Sequence, residues 1–168
     1  MAKSLNSIME VVDRITAKNG APCKKSLQKI VYLIEQKGAN LGFDYGIHFY
    51  GPYSAALDYS VQQLCSDGLL KIEYTDGGHI ISKTKSVSSA SSANYLKIVD
   101  NVVNEFANDT PSDLELISTT LFVATNLDSK EKKDIISGVE KIKGSKYSKD
   151  QINAAIGRLV ENQFFTVN

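Results

Sequence analysis

The sequence has the composition of a soluble globular protein, and that composition excludes several classes of function. Its 168 residues are 42% apolar and 23% charged, which suits one domain with a buried core. Nineteen Lys and Arg residues balance nineteen Asp and Glu residues, whereas proteins that bind nucleic acid mainly through phosphates are usually basic. No apolar run approaches the roughly 20 residues that span a bilayer, and residues 1–10 lack a signal-peptide core. Two cysteines are too few for a disulfide-rich secreted scaffold and indicate a reducing compartment, the cytoplasm.

Two amphipathic helices are predicted at the start of the chain. In the first, apolar residues recur at helical spacing from Leu5 to Ile15, and Asn19-Gly20 ends it. The second begins near Cys23 and ends at Lys37-Gly38. Its apolar arc consists of Cys23, Leu27, Ile30, Val31 and Ile34. The opposite side, which we expect to face water, consists of Lys25, Gln28, Lys29, Tyr32 and Gln36.

A glycine- and aromatic-rich segment, residues 39–53, follows the second helix. We interpret it as a structured loop with at most a short extended piece at 47–50. After the breaker Gly51-Pro52, Ser54 is a good N-cap for a third helix, which Asp67-Gly68 ends.

A hairpin is predicted next, because residues 69–74 and 79–82 have strand character on either side of the turn signal Asp76-Gly77-Gly78. Three helices followed by a hairpin is the order of a winged helix. We therefore assign residues 1–82 to a winged-helix-like part.

The second half of the chain is predicted to be helical. Residues 83–93 contain five serines and have the composition of a linker. Residues 94–168 show four further helical patterns, with predicted starts near Tyr95, at Thr110-Pro111, and after capping-box patterns at 128–131 and 148–151. The fold class is thus mainly α, a winged-helix-like part packed on a bundle of about four helices. A wide apolar stripe around Leu114–Val123 suits burial on more than one side, so we expect one cooperative unit with a single thermal transition.

No catalytic constellation is recognisable. His48 and His79 lie at no metal-ligand spacing, and Cys23 and Cys65 fall on predicted core faces, where a free cysteine behaves as a small hydrophobe. Phosphate-binding loops, nucleophile elbows and zinc-protease motifs are absent from the sequence. We therefore predict no catalytic, cofactor-binding or metal site, and no enzyme activity.

Sequence-specific DNA binding is disfavoured by the third helix, the element that enters the major groove in winged helices. Residues 54–67 contain no Lys or Arg and two acidic residues, Asp58 and Asp67. The alternative is a DNA-binding regulator that uses its wing and two lysine clusters. These clusters are Lys24, Lys25 and Lys29, and Lys141, Lys143, Lys146 and Lys149.

Two segments carry a resemblance to a known group. Leu27-Gln28-Lys29-Ile30-Val31-Tyr32-Leu33 resembles the Leu-Gln-Lys-Leu-hydrophobic-Tyr motif of the small uncharacterised bacterial proteins called YwgA-like, and a related motif occurs in the SocA-like, or Panacea, antitoxin domain. His48-Phe49-Tyr50-Gly51-Pro52-Tyr53-Ser54 resembles a Phe-x-Tyr-Gly-Pro-Tyr-Ser segment of the YwgA-like group. The C-terminal helices match both groups more loosely. The resemblance implies no activity and no catalytic residue; antitoxin domains act by binding a toxin or presenting it to other machinery.

These observations favour a non-enzymatic protein-interaction or regulatory module, of which an antitoxin is one form, with an unidentified protein partner. One predicted surface consists of Lys25, Gln28, Lys29, Tyr32, Tyr50, Gly51, Pro52, Tyr53 and Ser54, which combine aromatic area with long polar side chains. The alternative, which we slightly favour, is that Gln28, Lys29 and Tyr32 pack inside the protein against the C-terminal helices. A second predicted surface is Phe164-Phe165, where a homodimer is one way to cover the rings.

Overall fold

The structure, a computed structural model, describes residues 2–86 and 91–168. Within these ranges the chain forms seven α-helices and two separate antiparallel hairpins, so the mainly helical class is confirmed. In chain order the elements are α1 (Ala2–Asn19), α2 (Lys24–Gln36), β1 (Gly46–His48), β2 (Gly51–Tyr53), α3 (Ala55–Ser66), β3 (Leu70–Thr75), β4 (Gly78–Lys83), α4 (Ala93–Phe106), α5 (Pro111–Asn126), α6 (Lys132–Lys143) and α7 (Lys149–Glu161).

Most helix starts follow from local capping chemistry. The Ser54 hydroxyl accepts a hydrogen bond from the backbone N–H of Leu57, which starts α3 as predicted. Thr110 and Ser148 form capping boxes with Asp113 and Gln151, so the predicted starts of α5 and α7 are confirmed.

The capping box predicted at 128–131 is wrong, because α6 begins only at Lys132 and its N-cap, Glu131, makes no side-chain capping bond. The reason lies in the preceding helix. The Lys130 ammonium donates hydrogen bonds to the carbonyls of Ala124 and Leu127, so this segment completes the end of α5 before α6 can start.

The loop predicted at 39–53 contains more regular structure than expected. β1 and β2 pair with Gly46 opposite Tyr53 and His48 opposite Gly51, and Phe49-Tyr50 forms the turn. The expected extended piece at 47–50 therefore spans part of a strand and the turn of this hairpin. Of the predicted linker, residues 87–90 lie outside the described residues, and Ser92 caps α4.

The hairpin predicted after α3 is confirmed as β3 and β4, which pair from Leu70 opposite Lys83 to Thr75 opposite Gly78. Leu70 and Ile81 are buried, while the outer part of the hairpin is exposed. Its inner end is attached to the start of α2, because the N–H of Ile81 donates to the carbonyl of Pro22 at 2.9 Å.

One apolar core extends through both parts of the chain, with α2 and α5 at its centre. Helix α2 contacts α4, α5, β2 and β4, and all eight residues from Leu27 to Ile34 are buried. Helix α5 contacts α2, β2, α6 and α7. The water-facing side predicted for α2 is therefore wrong at Gln28, Lys29 and Tyr32, because α5 and β2 cover it.

Candidate functional site

The hairpin β1–β2 is held in place by polar side chains of α2. The Gln28 amide donates from Nε2 to the carbonyl of Ser54 at 2.9 Å, and its Oε1 accepts from the Ser54 N–H at 3.0 Å. One residue further along α2, the Lys29 ammonium donates to the carbonyl of Pro52 at 2.6 Å. Both side chains are buried, so these bonds are shielded from water. They fix the end of the hairpin and the start of α3 relative to α2.

A buried ionic cluster lies on the other side of the hairpin. Glu115 of α5 accepts hydrogen bonds at Oε1 from Lys143 and Lys146, each at 2.8 Å. The Lys143 ammonium also donates to the carbonyl of Phe49 in the hairpin turn, at 2.7 Å. The Lys143 side chain is only 3% exposed, whereas that of Lys146 is 43% exposed. We call Lys29, Glu115, Lys143 and Lys146 the Glu115 cluster.

The charges of the Glu115 cluster are unequal, with three ammonium groups and one carboxylate. Burial lowers the pKa of Lys29 from 10.5 to about 8; Glu115 opposes this effect, while Lys143 and Lys25 add to it. Burial alone would raise the pKa of Glu115, but hydrogen bonds from Lys143 and Lys146 outweigh it and lower that pKa. At neutral pH the carboxylate is therefore charged and positive charge is in excess.

The hairpin approaches α5 very closely at Gly51. Gly51 has a φ of 87°, in the left-handed region, and a Cβ atom at this position would lie 2.8 Å from Thr119 Oγ1. The Thr119 hydroxyl is buried and has no hydrogen-bond partner among the described residues. Only glycine satisfies both the backbone conformation and the short approach.

The turn of this hairpin exposes apolar side chains above its buried base. We call the turn residues Phe49 and Tyr50, together with the exposed Ile47 of the adjoining strand β1, the aromatic turn. Phe49 is 80% exposed, and its ring packs edge-on against that of Tyr50 with centroids 5.0 Å apart. The Lys25 ammonium lies 4.0 Å from the centre of the Tyr50 ring, within the range of a cation–π contact. The arrangement places aromatic surface and a cation together at one exposed position.

The residues predicted as one surface divide into two groups. Lys25 and Tyr50 are exposed and Tyr53 is half-buried, with its ring 5.4 Å from that of His48. The others are buried and belong to the supporting structure: Gln28, Lys29, Tyr32, Gly51, Pro52 and Ser54.

Tyr32 shows what the buried group does. Its ring packs edge-on against Tyr45, with centroids 5.0 Å apart. Burial raises the pKa of the Tyr32 hydroxyl, and a hydrogen bond with Thr125 of α5 opposes that rise. Tyr32 therefore packs inside the protein against a C-terminal helix, which is the alternative that we slightly favour from the sequence.

Sequence reasoning missed several residues of this site. Phe49 is the most exposed large apolar side chain among the described residues. It stands next to Tyr50 in the second motif, and that position was the available signal for it. The sequence identifies Lys143 and Lys146 only as members of a basic cluster. A glutamate between Leu114 and Leu116, within the apolar stripe of α5, was the available signal for Glu115.

The described residues offer little other chemistry. No group of three or more His, Cys, Asp or Glu side chains among them is placed to hold a metal ion. Cys23 and Cys65 are half-buried free thiols, and burial raises the pKa of Cys65 against the opposing effect of Lys24. Of the helices in residues 2–86 and 91–168, none has the length and apolar character needed to cross a membrane.

Comparison with known proteins gives one informative similarity. No family model matches the chain. Over 144 residues it is 27% identical to the Uncharacterized protein YwgA of Bacillus subtilis (strain 168), an alignment that covers 82% of this chain and 85% of that protein. This similarity supports a YwgA-like family. It agrees with the resemblance at residues 27–33 and 48–54, and the name of that protein assigns it no activity.

Proposed function

We propose that this protein is a non-enzymatic interaction module that binds a protein partner through the aromatic turn. One observation carries the proposal. Phe49 is 80% exposed, yet its own carbonyl accepts a 2.7 Å hydrogen bond from the buried ammonium of Lys143. An exposed aromatic residue on a fixed backbone loses little conformational freedom when it binds, and aromatic residues are enriched where binding energy is concentrated.

The two sequence motifs support a structural role for the base of the hairpin and a binding role for its turn. Gln28 and Lys29 of the first motif hold the carbonyls of Ser54 and Pro52 from the second. The motif residues therefore build the base, while the turn they support is free to contact another molecule.

An antitoxin-like role is the form of this function that the motif resemblance favours, with a toxin protein as partner. The SocA-like or Panacea domain shares a related form of the first motif, and it acts by protein binding. The element order of α1, α2 and α3 followed by the hairpin β3–β4 supports a winged-helix-type arrangement for the N-terminal part.

The DNA-binding alternative receives less support, since at least three of the seven lysines in its two clusters are already engaged. Lys29 and Lys143 are buried, and Lys24 forms an ion pair with Asp58 at 2.7 Å. A buried ammonium cannot neutralise a phosphate at the surface. Helix α3 adds no cation to compensate.

The test compares two exposed aromatic sites on one protein. A Phe49→Ser/Tyr50→Ser variant removes the rings of the turn, and Tyr74→Ser removes an equally exposed ring from β3 as a matched control. Tagged parent, variant and control are used to capture proteins from host lysate, with quantitative mass spectrometry and a melting curve for each. We expect that the parent and Tyr74→Ser both recover a protein that the turn variant does not recover. The melting temperature of the turn variant should be nearly that of the parent.

Equal recovery of every protein by parent and turn variant would contradict the proposal. If both variants still recover a partner, but a variant with reversed charges in the C-terminal helices does not, the interface lies elsewhere. The captured protein is then purified and titrated against parent and variant, which separates direct binding from co-purification.

A further inference from the structure

We propose that the aromatic turn recognises an acidic segment of the partner, in which a large apolar residue is flanked by carboxylates. This inference rests on the proposed function and names the chemistry of the partner. It follows from the charges that surround the turn, which are positive on two sides of an apolar tip.

Cations from two separate helices converge on the turn. Lys25 of α2 lies over the Tyr50 ring at 4.0 Å, and Lys143 of α6 binds the Phe49 carbonyl at 2.7 Å. Lys146, three residues after the end of α6, is 43% exposed and shares Glu115 with Lys143. Lys25 therefore presents an ammonium group to solvent beside Tyr50, and Lys146 presents one where it shares Glu115 with Lys143.

Neither Glu115 nor the carboxylates of Asp44 and Asp58 balance this charge. Glu115 is buried and already serves two ammonium groups at Oε1. Asp58 is paired with Lys24, and Asp44 precedes β1 at the end of the hairpin remote from the turn. Among the described residues Lys25 forms no ion pair. A carboxylate from another molecule would complete the set.

The apolar side chains of the turn indicate that the partner segment also contains a large apolar residue beside its carboxylates. Ile47, Phe49 and Tyr50 are all exposed, and together they offer apolar surface that a leucine, isoleucine or phenylalanine side chain would cover. Contact with that side chain would exclude water from the neighbouring ammonium groups and strengthen their attraction to carboxylates.

The experiment uses the full chain and a displayed library of random twelve-residue peptides. Selection on the parent should enrich peptides with a large apolar residue next to Asp or Glu. One enriched peptide is synthesised and titrated against the parent, Phe49→Ser, Lys25→Glu and Lys97→Glu. Lys97 is an exposed lysine on α4, whose main contacts are with α1 and α2, so it controls for charge reversal alone.

We expect Phe49→Ser to abolish binding and Lys25→Glu to weaken it about tenfold, while Lys97→Glu binds like the parent. Raising salt from about 0.1 M to about 1 M shortens the screening length from about 10 Å to about 3 Å, and this should reduce the difference between parent and Lys25→Glu. Circular dichroism melts check that every variant is folded; these side chains are exposed and make only ring and cation–π contacts, so we expect at most a small loss of stability.

The other outcomes separate the two proposals. Peptides that require Phe49 but show no acidic enrichment and bind Lys25→Glu normally would overturn the acidic recognition and leave the interaction module standing. Failure to enrich any peptide, or binding that Phe49→Ser leaves unchanged, would count against both. Sedimentation that shows a dimer lost in Phe49→Ser would assign the turn to a second copy of this chain and overturn the inference.

Discussion

The two hairpins of this protein hold their shape by different means. In β3–β4, strands of six residues pair along their whole length, and Leu70 and Ile81 join the core. In β1–β2, the strands have only three residues each. An isolated two-stranded hairpin is marginal in water even at greater length, so the shorter one cannot depend on its own ladder.

The shorter hairpin is stabilised from outside. Its backbone and the residue after it receive hydrogen bonds from Gln28, Lys29 and Lys143, which belong to α2 and α6. In the longer hairpin the N–H of Ile81 donates to the carbonyl of Pro22, and Lys83 forms an ion pair with Asp13 of α1. Strand pairing and the buried side chains of Leu70 and Ile81 supply the rest of its stability. Both carry exposed aromatic residues at their outer ends, yet only the shorter one fixes them through buried charges. The four predictions below test this difference, beginning with the largest effect.

Replacement of Glu115 should give the largest loss of stability. Glu115→Leu leaves the buried ammonium of Lys143 without a counter-charge, and breaking a buried pair from one side typically costs about 3–5 kcal/mol. Urea unfolding measures the change in the free energy of unfolding. The matched control is Lys146→Ala, which removes the half-exposed partner of the same carboxylate and should cost about 1 kcal/mol or less. Equal effects of the two changes would show that burial of Lys143 is unimportant.

Substitution at Gly51 tests the close approach of β2 to α5. Gly51→Ala must place a Cβ 2.8 Å from Thr119 Oγ1 at a φ of 87°. Gly42→Ala is the control, because Gly42 has a φ of 85° and nothing within 4 Å of its Cβ position. Backbone strain, about 1–2 kcal/mol, is common to both variants. Overpacking against Thr119 typically adds about 1–3 kcal/mol, so we expect Gly51→Ala to lose at least about 1 kcal/mol more than Gly42→Ala in urea unfolding.

A double variant separates the contact from the strain. Gly51→Ala/Thr119→Ala removes the hydroxyl that the new methyl group meets, and it should recover the difference between the two single glycine variants. No difference between Gly51→Ala and Gly42→Ala would mean that α5 moves aside without cost.

The stability of the protein should rise with pH above neutrality because of Lys29. Its pKa is 10.5 when solvated and about 8 in the native state, so between these values the unfolded chain binds more protons than the folded one. Stability therefore increases with pH in this window. The raised pKa values of Cys65 and Tyr32 have the opposite effect above about pH 9.

The comparison with Lys29→Met isolates this contribution, since the variant keeps Cys65 and Tyr32. Between pH 7 and pH 9.5 we expect the parent to gain up to about 2 kcal/mol relative to Lys29→Met, as measured by urea unfolding at each pH. Parallel pH profiles would show that Lys29 is solvated in the native state. They would then also weaken the idea that α2 holds the hairpin through a buried ammonium.

The smallest effect should come from the outer end of the longer hairpin. Tyr74 is 77% exposed and packs edge-on against His79 across the strands, with ring centroids 4.5 Å apart. Tyr74→Ser should cost about 0.2–1 kcal/mol in thermal or urea unfolding, the usual range for one cross-strand pair. Ile81→Ala, in the buried end of the same hairpin, should cost about 2–5 kcal/mol. A larger loss from Tyr74→Ser than from Ile81→Ala would contradict a hairpin that is held by its inner end.

The site was partly foreseeable. The motif pair at residues 27–33 and 48–54 indicated the right region, and the structure shows that the two segments contact each other. Which of their residues face outward was not foreseeable from a helical wheel. A wheel shows that Gln28, Lys29 and Tyr32 share a side, but it does not show whether another element covers that side.

Local chemistry in the sequence determined the helix caps, the glycine stops and the longer hairpin. Ser54 and Ser148 bond to groups three residues away, and the β3–β4 turn joins strands that are neighbours along the chain. Tertiary structure alone decided the shorter hairpin and the Glu115 cluster. Lys29 reaches a carbonyl 23 positions away, and Lys143 reaches one 94 positions away. Such bonds become favourable only after the core has brought α2, α5 and α6 together and removed the water that competes for them.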